Sequence, residues 1–137
     1  MKLKSGTLRF ENSNSYTDTY RFTDGDISLI VSIKPGHEDT VPNVLDNLPR
    51  WDAMARDKLA EAYSKIYNES WRELDEPSLD EVAFRQALTI ESVGVCDARF
   101  GPGHFSLQYG DAGLFDGHGF FVSFTDAGDI RGEEMFG

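Results

Sequence analysis

A single cysteine, Cys96, occurs in 137 residues, so no internal disulfide can form and nothing calls for an oxidising compartment. Histidine is nearly as scarce, at three, and without a second Cys or a His pair at ligand spacing a zinc site is not expected. Long apolar runs are missing, and Met1 to Gly6 has no apolar segment of the kind that starts a secretion signal. A soluble, cytoplasmic protein is the expectation. Basic residues are also few, 13 against 24 acids, and the formal charge of -11 opposes binding to nucleic-acid phosphates or anionic membranes. The excess is uneven: residues 95 to 137 carry seven acids and two bases, residues 1 to 40 six and five. An acidic surface keeps a domain dispersed, and it also favours basic partners.

What is present suffices for a core. Hydrophobic residues make up 39% of the chain and aromatics 12%, ten of them Phe, enough apolar surface for one domain over 1–137 to fold without staples. Residues 7 to 11 and 16 to 23 alternate polar with apolar side chains and read as antiparallel strands about an Asn12-Ser13-Asn14-Ser15 turn. Asp24-Gly25-Asp26 turns the chain into a third strand, Ile27 to Ile33. Thr40 offers an N-cap with Pro42 inside the first turn, and Val41, Val44, Leu45 and Leu48 form a short helical stripe. The spacing predicts a main helix from about Arg50 to Asn68. Its apolar face is Trp51, Ala55, Leu59, Ala62, Tyr63 and Ile66, with Asp52 and Arg56 mostly off that face.

Glu69 to Pro77 reads as an acidic loop anchored by Trp71 and Leu74. Ser78 and Glu81 have capping-box spacing for a short helix from Leu79 to Ala87 that buries Val82, Phe84 or Leu88. Strands are expected over Leu88 to Cys96, His104 to Tyr109, Phe120 to Phe124 and up to Met135, with Gly101-Pro102-Gly103 as a turn. Three strands, two helices and about four strands make an α+β protein: an antiparallel sheet packed on one long amphipathic helix plus shorter ones.

No constellation names a reaction. In a hairpin about Leu114, His118 faces Tyr109 or Gly110 and His104 lies at the far end, so His118, between two glycines, reads as structural. Cys96 and His104 bracket a tight loop as the nearest approach to a nucleophile and base, with no third group in view; an inert thiol is expected. Asp24 and Asp26 precede Leu29, where a calcium loop requires Gly. Gly110, Gly113, Gly117 and Gly119 lie between strands rather than before a helix, so no phosphate loop or dinucleotide fingerprint is present. Neither cofactor nor metal is expected.

Tyr67-Asn68-Glu69-Ser70-Trp71, the segment Leu79 to Leu88 with Phe84, and Leu114-Phe115-Asp116-Gly117-His118 resemble the bacterial family called domain of unknown function 2262, over roughly Val44 to Gly137. Asp116 stands where the second motif is expected to carry an aromatic residue. The resemblance implies a small soluble protein encoded beside polymorphic toxins and suspected of immunity function, with no enzymatic activity. It implies a cognate toxin as partner, bound directly, and many such toxins act on nucleic acids and are basic. On charge and turn position alone, Asp111, Asp116, Asp126, Asp129, Glu133 and Glu134 are the candidate partner-binding residues. The alternatives are a small hydrolase using His118 with a nearby carboxylate, and a housekeeping ligand-binding module.

Overall fold

A computed structural model describes residues 2–100 and 103–137. Seven strands form one sheet in sequence order: β1 (Thr7–Ser13), β2 (Asp18–Asp24), β3 (Ile27–Ile33), β4 (Thr89–Val95), β5 (Phe105–Gly110), β6 (Gly119–Phe124) and β7 (Ile130–Phe136). Between β3 and β4 lie α1 (Val41–Asp46), α2 (Leu48–Ile66), a π-turn over Tyr67–Trp71 and α3 (Glu81–Ala87). The α+β reading holds, with one difference at the centre of the sheet. Every neighbouring pair is antiparallel except β3 and β4, which run parallel with Val31 opposite Val93 and Ile33 opposite Val95. A parallel pair cannot be joined by a hairpin, so the whole helical segment serves as the crossover.

One face of the sheet carries the core. Leu29, Val31 and Ile33 on β3, Val93 and Val95 on β4, Phe105, Leu107 and Tyr109 on β5, and Phe120, Val122 and Phe124 on β6 are buried and share that face by alternation. Over them lies α2, burying Leu48, Trp51, Ala55 and Leu59. Trp51 packs on Phe105 and Phe124, and the β6–β7 turn closes over it at Gly128. Gly128 has φ +87°, and a Cβ there would stand 2.8 Å from Trp51 Cη2, so both conformation and space demand glycine.

The helix starts differ from the sequence expectation for local reasons. Thr40 gives no side-chain cap, because a 3-10 turn over Glu38–Thr40 already places it in helical conformation. Helix α2 begins at Leu48 and not near Arg50, since Pro49 in the first turn has no intrahelical N–H to lose. Ser78 does not cap α3; Asp80 does, accepting from Ala83 N at 2.8 Å. Asn68 explains the shift. Its side chain donates to Leu79 O (2.7 Å) and accepts from Leu79 N (2.9 Å), which uses both backbone groups of Leu79 and delays the helix until Asp80. Val82 is exposed, while Phe84 and Leu88 are buried.

Asp52 and Arg56 also depart from expectation. Asp52 Oδ1 accepts from the Tyr109 hydroxyl (2.6 Å) and from Arg56 Nε (2.9 Å), and Arg56 Nη1 donates to Arg85 O and Leu88 O. Burial, reinforced by that bond to Asp52, pushes the Tyr109 phenol far above its ordinary range, so it acts as a permanent donor. This network ties α2 to β5 and to the end of α3.

Candidate protein-docking surface

The strand registers gather several loops at one end of the sheet. Because β3 and β4 run parallel and their neighbours antiparallel, that end holds the β2–β3 turn, the start of β4, the β5–β6 loop and the end of β7. The β5–β6 loop, Asp111 to His118, is the most elaborate of them. Asp111 is 7% exposed; its carboxylate accepts from Gly113 N (2.9 Å), Phe115 N (2.8 Å) and Gly117 N (2.9 Å). Burial pushes this carboxyl up, but the backbone N–H groups outweigh it and hold the pKa below its ordinary value. Asp111, expected on charge as a partner-binding residue, is therefore the frame of the loop, its oxygens turned inward onto the backbone.

That frame permits a strained path. Ala112, Gly113, Asp116 and Gly117 all have positive φ, and the turn they make drives Phe115 into the core, where it is fully buried. Around its ring stand Trp71 (centroid distance 5.2 Å), Phe120 (5.2 Å), Tyr67 (5.7 Å), Phe84 (6.2 Å) and Tyr63 (6.4 Å). The π-turn presents Tyr67 and Trp71 to this one side chain. His118 donates its backbone N–H to Phe115 O (3.1 Å), and its ring stands edge-on to Trp71 at 5.7 Å. It lies beyond the β5–β6 ladder, which pairs Tyr109 with Phe120, so it faces neither Tyr109 nor Gly110. The two motifs singled out in the sequence thus meet in one aromatic junction. Asp116 is exposed there at φ 54°, a conformation that Asp tolerates better than an aromatic residue does.

Above the junction the surface is acidic. A small cleft of about 60 Å³ is lined by Trp71, Glu73, Glu76, Leu114 and Asp116, with Tyr67 at its floor. Burial and the adjacent Glu76 raise the Tyr67 phenol. Leu74, expected as an anchor of this loop, is instead 98% exposed between Glu73 and Asp75. Leu74 thus packs against nothing in the fold, and its chain neighbours on both sides are carboxylates.

The other proposed residues lie elsewhere. Asp126 and Asp129 are exposed in the β6–β7 turn, at the opposite end of the sheet, where Thr125 N donates to Asp129 O and Asp129 N to Thr125 Oγ1. Glu133 and Glu134 sit on the edge strand β7 and point to opposite faces, one paired with Val122 and the other with Phe121. The six residues do not make one patch. Asp116 joins Glu73 and Glu76, which the sequence leaves in a loop; the three share no sequence signal because only the packing of Phe115 against Trp71 brings them together.

Cys96 and His104 do come together, with Sγ 3.8 Å from Nδ1 and 3.4 Å from the His104 carbonyl oxygen, and Cys96 has φ 53°. Burial raises the thiol and outweighs the opposing pull of Lys34, the reverse of the lowered pKa that activates a nucleophilic cysteine. Among the described residues no group of His, Cys, Asp and Glu is placed to hold a metal ion, and no helix is long and apolar enough to cross a membrane.

Fold and surface together define an acidic α+β protein built on a mixed seven-stranded sheet, with an aromatic junction closed beneath a carboxylate-rimmed end. The chain belongs to the family described as an uncharacterised protein conserved in bacteria, domain of unknown function 2262, whose model matches residues 4–135. The match reaches back through β1 to β3 and α1, well beyond the stretch that carries the motifs. No curated protein and no solved structure matches the chain.

Proposed function

We propose that this protein is a cytoplasmic immunity protein that binds and neutralises a cognate, basic bacterial toxin by direct contact, and is not an enzyme. The observation that carries the reading is the pairing of a -11 net charge with a fully exposed apolar side chain, Leu74, between Glu73 and Asp75. A field of that sign steers a basic protein into encounter, and an apolar anchor then slows its departure. The residues of the two sequence motifs, Tyr67, Asn68, Trp71, Phe115 and His118, are engaged in packing and hydrogen bonding beneath that surface.

Co-expression tests it. The open reading frame next to this gene is expected to arrest growth when expressed alone and to be tolerated when this protein is supplied. An adjacent product that is harmless alone, or one whose toxicity this protein does not relieve, overturns the reading.

A further inference from the structure

A second feature of the same sheet end has a ligand chemistry of its own. Between the β2–β3 turn, the α1–α2 corner and the start of β4 lies a cavity of about 210 Å³ lined by Phe22, Asp24, Ile27, Leu45, Leu48, Pro49, Asp52 and Ile90. The geometry points to a socket for one basic side chain, arginine or lysine, presented by a partner protein; this deepens the proposed function and rests on it.

Size, wall chemistry and charge each support that occupant. Ligand sites for small molecules run about 300–1,000 Å³, so this cavity is too small for a cofactor. At ~30 Å³ per water it holds roughly seven atoms of that size, which is one long side chain. Its walls are the rings and branches of Phe22, Leu45, Leu48 and Ile90, suited to an aliphatic stem, while every ionisable group in the lining is a carboxylate. Asp52 already serves Tyr109 and Arg56 through Oδ1. Asp24 differs: its Oδ2 accepts only the neutral Ser5 hydroxyl at 2.7 Å, and among the described residues no cation pairs with it. Apolar walls with a carboxylate among them that no described cation pairs are complementary to a side chain with an apolar stem and a cationic head. Ile27 is a lining residue open to solvent, 41% exposed, with Asp26 beside it in the turn.

The test uses the full chain, labelled with ¹⁵N, titrated with N-acetyl-arginine amide and in parallel with N-acetyl-norleucine amide, which has a similar stem and no charge. Shifts are expected at the amides of Ile27, Leu48 and Ile90, saturating with the arginine probe at concentrations where norleucine gives about a tenth of the effect. Asp24→Asn is expected to weaken the arginine probe about tenfold, and Ile27→Lys, at an exposed lining residue, to abolish its binding while the remaining spectrum stays that of the folded protein. Equal response to both probes, no effect of Asp24→Asn, or shifts spread equally to the Asp126 and Asp129 turn would each overturn the socket. The two readings fail separately: absence of growth rescue removes the immunity function whatever the titration gives, and a silent cavity removes the socket even in a chain that rescues.

Discussion

At the scale of single residues, Asp111 and Asp116 show how little charge alone says about role. Five residues apart in one loop, one is the internal frame and the other is exposed on the rim. Sequence offers the pair as equals, because the distinction depends on which carboxylate the backbone N–H groups of Gly113, Phe115 and Gly117 enclose. Asp111→Asn is expected to cost about 3 kcal/mol in chemical denaturation, as N–H donors lose a charged acceptor. The sign with pH follows from the lowered pKa. Stability from Asp111 is fully present above the ordinary carboxylate value of 3.8 and is lost as pH falls through the lower folded-state value. The Asn variant should therefore lie below wild type at neutral pH, and the gap should narrow in acid. A gap that stays constant down to pH 2 would mean that the carboxylate's charge is not what holds the loop.

Among the elements, the strands and the long helix were legible because their periodicities are strong, with buried residues recurring at Trp51, Ala55 and Leu59. Boundaries and pairing were not. Asn68 holds Leu79 across the intervening loop and so moves the cap of α3 from Ser78 to Asp80, an effect with no local signature. The parallel β3–β4 junction was invisible for a related reason: alternation fixes which face a strand buries, not which neighbour it chooses. The π-turn was equally hidden, yet it sets Tyr67 and Trp71 on Phe115. Phe115→Ala would leave a void enclosed by those rings and is expected to cost about 3–5 kcal/mol, measured by thermal or denaturant unfolding. Loss of well under 1 kcal/mol would show that the loop, not the ring, holds the junction.

For the whole molecule, the two ends of the sheet are electrically separate. A strand of six residues such as β6 spans ~20 Å, well beyond the Debye length of ~8 Å in physiological salt. The acids chosen from sequence fall at both ends and along the β7 edge, so only part of them can face one partner. Reversing Glu73 and Asp75 to Lys is expected to slow association with the adjacent gene product about tenfold in low salt. The same change at Asp126 and Asp129 should have a much smaller effect, and the difference should fade near 1 M salt, where screening reaches ~3 Å. Equal slowing from both ends would place the contact elsewhere.

The central parallel junction also puts the sheet on a timetable. During synthesis β3 leaves the ribosome long before its partner, since the helices between Ile33 and Thr89 are made first; at ~5–20 residues per second, several seconds pass. Throughout that interval the middle of the future sheet is an open border, with Leu29, Val31 and Ile33 on one side and Ser28, Ile30 and Ser32 on the other. Helices α1 and α2 arrive during this gap and supply a cover for the apolar side. On the reverse side Ile30 stands between Ser28 and Ser32, and the unpaired backbone groups of the edge wait for β4. The order in which the chain is written thus leaves the centre of the sheet open until β4 arrives to close it.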